Sequence, residues 1–420
     1  MGRWARSERK LNHLKKFLLL FVCVAALTMI ASISAYSEMS GPMFRRNASE
    51  TVTISREEYE RYLERYSKLE TLIELTERYY YEDVDVDEML DMAAMGLMAG
   101  VGDVYTIYYS KEDMEAFNEE TTGQYAGIGL QLLADTTDYM ITVTRVFKGS
   151  PAEAAGMRSG DKIVYVNDVY YTAQEMDAAV NVMRGTPGET VKVTVLRDLE
   201  QIDFEVMREV IDINYVEYEI LNDNIGYVMV YDFLGNACEG FTEAIEAFRA
   251  ADVSGMIIDL RNNGGGLVDA CVEMADLILP EGVVVSTRDK AGETEEYTIS
   301  GDYFDVPMVV LVNGYTASAS EILAGAIRDY GAGTLLGTQT FGKGVVQGVI
   351  NLIDGTGVKI TMAQYFTPNG EYIHGVGLAP DVELELDEEI VTRYGINNIP
   401  HEQDNQLQKA IELLVSGEVK

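Results

Sequence analysis

The stretch from Asn313 to Gln347, NGYTASASEILAGAIRDYGAGTLLGTQTFGKGVVQ, constrains the fold more than any other part of this chain. It reads as turn, helix, glycine-rich connection and strand. The small residues Thr316 to Ser320 precede an apolar run, Ile322, Leu323, Ala326 and Ile327, with the spacing of one helix face. Ser318 therefore falls at a helix N-terminus, where free N–H groups and the positive end of the helix dipole would stabilise an oxyanion. Such a serine needs a base.

Lys343 follows Ser318 by 25 residues, between Gly342 and Gly344 and ahead of the apolar Val345, Val346, Val349 and Ile350. The glycines permit close backbone approach, and the apolar run predicts a buried strand. Burial disfavours an ammonium, so a lysine there is expected to drop from about 10.4 toward the roughly 7 to 8 of a general base. Gln347 lies four residues on, and side chains repeat every two along a strand, so it shares a face with Lys343 and is placed to orient the amine. Two plainer readings fit the same residues. Ser318 with Glu321 matches a capping box, and Lys343 fits a solvated glycine-loop lysine. The only histidines are His13, His374 and His401, and none lies in a stretch built for a Ser/His/Asp triad.

Together these segments resemble the signature of the carboxyl-terminal processing peptidases, also called tail-specific proteases, and the likeness extends over most of the chain after about Glu119. The resemblance implies a nucleophile at Ser318, a general base at Lys343 and an orienting glutamine at Gln347. It also implies an oxyanion hole formed by Gly265 and Ala319, since Arg261-Asn-Asn-Gly-Gly-Gly266 matches the family's oxyanion turn with Gly264 where proline is usual. The motif Gly370 to Asp381 matches a closing segment of the family, with His374 structural or substrate-facing.

The chain has 420 residues and a formal charge of −37. That length holds two or three domains. The acidity disfavours nucleic acid and anionic lipid faces as partners. Six basic side chains against Glu8 in residues 1–16 precede an uncharged run from Phe17 to Ser37, 21 residues long. That is enough to span a bilayer, with the N-terminus cytoplasmic and the body outside. An uncleaved single-pass anchor in the cell membrane is the expectation; Ser32-Ile-Ser34 keeps open a cleaved signal peptide and a secreted body. Cys23, Cys238 and Cys271 make no disulfide framework, and the last two read as small core residues. No metal or cofactor is expected.

Domains are read as a basic tail and membrane segment (1–37), a tether and N-terminal helical region (38–120), a PDZ domain (121–208), an α/β peptidase core (209–388) and a C-terminal helical tail (389–420). Ser55 and Glu58 form a capping box for a helix whose Tyr62, Tyr66, Leu69, Ile73, Thr76 and Tyr80 step by four and three. This spacing fits packing within its own domain or the seam of a homodimer. The segment 101–110 departs from the family's Leu-Asp-Pro-Tyr-Ser pattern, so no family contact carries over there.

From Thr121 to Asp198 short strands, turns and one helix, opened by Gly127-Ile128-Gly129-Leu130, resemble a PDZ domain. In such a loop, consecutive N–H groups cradle a chain-terminal carboxylate while the peptide adds a strand. The later alternation of strand and helix indicates an α/β, crotonase/Clp-protease-like core carrying the Ser/Lys site. The expected activity is serine endopeptidase cleavage of flexible, apolar protein C-termini captured by the PDZ groove. A catalytically idle scaffold that binds C-termini and a crotonase-like acyl transferase are the alternatives.

Overall fold

The computed structural model describes residues 54–395 and 399–419. The basic tail, the apolar run Phe17 to Ser37 and the tether lie outside the described residues. Two units divide at residue 86. In the first, helix α1 (Arg56–Tyr79) begins with the expected box: Ser55 Oγ accepts from the Glu58 N–H, and the Glu58 carboxylate accepts from the Ser55 N–H. None of its residues is buried.

The second unit opens with α2 (Val86–Ala99), the short strand β1 (Ile107–Tyr109) and α3 (Lys111–Thr122). A ribbon of β2 (Gln124–Gly127) and β9 (Glu209–Asp212) brackets the PDZ sheet. That sheet has the order β3 (Leu130–Ala134), β4 (Ile141–Val146), β5 (Lys162–Val166), β7 (Thr190–Arg197), β8 (Glu200–Met207), with β6 (Val169–Tyr170) alongside β5. Helices α4 (Pro151–Ala155) and α5 (Met176–Met183) contribute to a core of alternate strand residues such as Ile141, Val143, Val191, Val193 and Val195. The single expected helix over 173–183 is a 3₁₀ turn, Ala173–Glu175, followed by α5.

The α/β core is a six-stranded sheet in the order β10 (Val216–Leu221), β11 (Ile225–Val230), β12 (Gly255–Asp259), β15 (Met308–Val312), β16 (Gly333–Gly337), β19 (Val382–Glu383). All neighbours are parallel except β10 with β11. The all-apolar runs follow from burial on both faces. In β15, Met308, Val310 and Val312 pack on the side of α6 (Ala237–Ala251), α7 (Val268–Asp276) and α8 (Ala319–Tyr330). Val309 and Leu311 point the other way, toward Leu407, Ala410 and Leu413 of the last helix, α10 (Asn405–Ser416). The helix α9 (Glu388–Tyr394) leads toward it.

A second sheet carries the lysine loop. It contains β13 (Gly282–Asp289), β14 (Thr294–Ile299), β17 (Val345–Asn351), β18 (Gly357–Phe366) and β1. Strand β17 pairs only with β18 and is an edge, so the expectation of a buried strand after Lys343 is corrected: Val345 is buried, but Val349 and Ile350 are exposed.

Candidate active site

Strand β15 ends at Val312, and a tight turn then delivers Ser318 to the start of α8. Thr316 Oγ1 accepts from the Asn313 N–H and donates to the Leu260 carbonyl, which ties the turn to the neighbouring strand. Ser318 has φ 56° and ψ −118°, a conformation that non-glycine residues adopt only when their surroundings enforce it. Its hydroxyl sits at the cap position of α8, facing the backbone of that helix's first turn, and it is half-buried. The capping reading holds for the other partner, because the Glu321 carboxylate accepts from the Ser318 N–H at 3.0 Å.

Glu321 does more than cap. Fully buried, it accepts from four donors: the N–H groups of Ser318, Gly342 and Lys343 and the Thr340 hydroxyl. The Ser318 and Lys343 N–H groups converge on the same oxygen, Oε2. A carboxylate has lone pairs for all four, and charge-assisted bonds of this kind are about twice as strong as neutral ones. The sequence reading treated Glu321 only as a cap partner. What it lacked was the fold that returns residues 340–343 to the head of α8.

Lys343 is partly buried in the segment before β17. Burial pushes its amine below the ordinary lysine range and nearby Lys359 adds to this, while Asp103 and Glu321 pull the other way. Its Nζ lies 4.9 Å from the centre of the Tyr105 ring. Among the described residues Lys343 Nζ has no hydrogen-bond partner, and Ser318 Oγ has none outside the first turn of its own helix. His374 serves the loop as a brace, its Nδ1 accepting from the Gly344 N–H.

For Gln347 the alternation argument does not apply. Lys343 precedes the strand, and the β17–β18 register shifts between Val346 and Gln347. The Gln347 amide nitrogen donates to the Val345 carbonyl and to Thr361 Oγ1, which leaves its oxygen as the group that could receive a lysine proton.

The glycine turn comes against the serine as expected. A side-chain carbon added to Gly265 would lie 2.7 Å from Ser318 Cβ and 2.9 Å from the Ala319 nitrogen, and φ is +114°. Yet the Gly265 N–H donates to Asn263 Oδ1 at 2.8 Å, so in this conformation the expected second donor is engaged. Among the described residues the Ala319 N–H has no acceptor, whereas the Gly265 N–H has one. Asn263, fully buried, also donates to the Val230 carbonyl and was missed because nothing in its sequence position signals a side-chain anchor. Beneath the site, Cys271 donates to the Ala319 carbonyl, and both Cys238 and Cys271 are free thiols on facing helices. Burial raises the Cys238 thiol to about 12 and Cys271 further.

Arg261, which opens the glycine turn, lies in a buried cluster. It bonds to Asp259 on one side and to Asp404 and Gln406 at the start of α10 on the other. Tyr227 donates to the same Asp259 carboxylate.

The PDZ loop residues Gly127, Ile128 and Leu130 line a cavity of about 470 Å³, which Ser318 and Lys343 do not reach. Gly129, at φ +89°, packs so closely on Ser150 that a side-chain carbon would come within 2.2 Å. Its lining combines the apolar Leu132, Met176, Val180 and Met183 with the charged Arg145, Arg184, Glu119, Glu120 and Asp232. Arg145 bridges to the core, bonding to Glu217 and the Asn214 carbonyl with its guanidinium 3.5 Å from the Tyr231 ring centre. Burial raises the Asp232 carboxyl to about 7, with Glu120 adding to it and the Phe233 N–H opposing. Among the described residues no group of three or more His, Cys, Asp or Glu could hold a metal ion.

Comparison with known proteins places these features in a lineage. The profile of Peptidase family S41 matches residues 224–384, and that of the PDZ domain matches residues 142–197. A CtpA-like serine protease of Staphylococcus aureus is 31% identical over 385 residues, spanning 90% of this chain and 75% of the relative. Its counterpart in Staphylococcus epidermidis is 33% identical over 321 residues, spanning 76% of this chain and 65% of its own. A solved S41 protease from Bacteroides fragilis superposes with a TM-score of 0.53 at 17% identity, covering 76% of this chain and 88% of that one, a likeness of fold. The photosystem II D1 C-terminal processing protease is 29% identical with a TM-score of 0.49, covering 84% of this chain and all of that one. By its descent from the same stock as the staphylococcal proteins, the chain belongs to the carboxyl-terminal processing peptidases of family S41 and is a serine peptidase with a PDZ domain.

Proposed function

We propose that this peptidase captures flexible, apolar protein C-termini in its PDZ groove and cleaves them through a Ser318/Lys343 acyl-enzyme mechanism. The observation that carries the reading is the convergence of the Ser318 and Lys343 N–H groups on one oxygen of Glu321. Ser318 Oγ attacks the scissile carbonyl carbon as the neutral Lys343 amine takes its proton. The oxyanion forms beside the Ala319 N–H, with Gly265 as second donor once its N–H turns from Asn263. Collapse breaks the C–N bond, and the Lys343 ammonium returns a proton to the leaving amine. Water, deprotonated by the same lysine, then hydrolyses the ester and restores Ser318. Gln347 orients Lys343 through its side-chain oxygen.

Location and assembly belong to the same proposal. The N-terminal apolar segment anchors the protein in the cell membrane with the body outside, and its cleavage would release a secreted form. The heptad-spaced residues of α1 supply the seam of a homodimer. No cofactor or nucleic acid takes part.

The test incubates the full chain with an unfolded protein ending in apolar residues, with a free or an amidated C-terminus. Cleavage by the wild type, none by Ser318→Ala or Lys343→Ala, and slower cleavage of the amidated form are expected. Wild-type turnover by Lys343→Ala would remove the base.

A further inference from the structure

We propose that Tyr105, brought in from the segment ahead of β1, is a positioning residue for Lys343: its ring closes the outer wall of the amine site and, by favouring the cation, sets the pH at which the base becomes available. The inference rests on the reading of Lys343 as the general base and adds a residue from a part of the chain where the family pattern is broken.

Four observations carry it. Lys343 Nζ lies 4.9 Å from the Tyr105 ring centre, inside the roughly 6 Å range over which a ring face attracts a cation. That amine has no hydrogen bond among the described residues, so the ring is the group that defines where it rests. Tyr105 is itself held firmly. Asp103 accepts from the Tyr105 N–H and from the Thr106 hydroxyl, while Thr106 Oγ1 accepts from the Thr361 N–H of β18. Finally, Thr361 also receives the Gln347 amide, so one residue of β18 joins the Tyr105 segment to the side chain expected to orient the lysine.

The charged and titratable groups around the amine are Lys359 of β18, Asp103 of the Tyr105 segment and Glu321 of α8, with Tyr105 above and His374 bracing the next peptide. Tyr105 is the one among them that shields the amine from water as well as acting on its charge. These two effects oppose each other: exclusion of water favours the neutral amine, and the ring face favours the ammonium. An apolar side chain of similar bulk keeps the first and removes the second.

The experiment compares the pH dependence of kcat/KM for wild type, Tyr105→Phe, Tyr105→Leu and Tyr105→Met on one peptide with a free C-terminus. A titration of Lys343 followed by NMR on isotope-labelled lysine in the Ser318→Ala background, with and without Tyr105→Leu, gives a readout independent of activity. The acid limb of the Phe variant is expected to coincide with the wild type. In the Leu and Met variants the limb and the NMR titration are expected to move to lower pH by about half a unit, the scale of a partly exposed cation–ring contact. An unmoved limb and titration in Leu and Met variants that fold normally, with Lys343→Ala inactive, would overturn the role of Tyr105 alone. Wild-type turnover by Lys343→Ala would overturn the base, and the proposal with it. A uniform loss of kcat at every pH would assign Tyr105 a structural role and overturn the proposal.

Discussion

Glu321 Oε2 accepts at once from the backbone of Ser318 and from that of Lys343, at 3.0 and 2.8 Å. One buried side chain therefore fixes the two main-chain positions from which the proposed nucleophile and base project. Glu321→Gln presents an NH₂ group to donors and leaves at least one backbone N–H unmatched. The expected result is a loss of kcat/KM on the order of 100-fold from misplacement, with about 2–3 kcal/mol of stability. Steady-state kinetics and thermal unfolding of the variant measure both; unaltered kinetics would refute the clamp.

The acid limb of activity reports the lysine. A base must be neutral, so kcat/KM rises with pH through the Lys343 titration, which burial and Lys359 hold below the ordinary lysine range. Lys359→Gln removes a neighbouring positive charge and lets Lys343 keep its proton longer. The limb is expected to move to higher pH by a few tenths of a unit. A shift to lower pH would contradict the assignment.

Backbone strain at Ser318 is measurable on its own. At φ 56° a side chain is disfavoured, whereas glycine adopts such angles readily. Ser318→Gly and Ser318→Ala both lack the nucleophile and are expected to be inactive. The glycine variant is expected to be the more stable by about 1 kcal/mol or more in chemical denaturation, because it alone relieves the strain. Equal midpoints would show that the turn stores none.

Asp232 links stability to pH. Its folded carboxyl titrates at about 7 against an unfolded value near 3.9, so the native state holds the proton longer. Stability is complete below the unfolded value and falls as pH rises toward 7. Asp232→Asn keeps an acceptor for the Phe233 N–H and cannot ionise. It is expected to flatten this decline, gaining on the order of 2 kcal/mol over the wild type at pH 8 and little at pH 4. Parallel stability curves for the two proteins would exclude the linkage.

The helix head at Ser318, the glycine-flanked loop of Lys343 and the layered core were legible in the sequence because each leaves a local trace. A helix face begins just after Ser318, glycines flank Lys343, and an unbroken apolar run announces a strand covered on both sides, as β15 is. Gln347 was placed by counting in twos, which fails across the register shift at Val346. The Gly265 donor was assigned from the turn's position, but a side chain two residues earlier, Asn263, takes up its N–H. Tyr105 was unreadable, since its meaning comes from pairing with β18 more than 200 residues later. Glu321 was seen as a cap because three of its four partners lie beyond the helix it begins.

The cluster around Arg261 has a consequence for how the enzyme comes into being. The guanidinium that opens the glycine turn is buried between Asp259 and Asp404, the latter contributed by a segment more than 140 residues later in the chain. Until that segment docks, Arg261 has only half its counter-charge, which costs several kcal/mol in a dry interior. A chain stopped at residue 400 keeps Ser318 and Lys343 and is nevertheless expected to show no cleavage, a result that activity assays on the truncated protein would check. A growing polypeptide thus carries its blade sheathed until that distant segment has been made and has folded back.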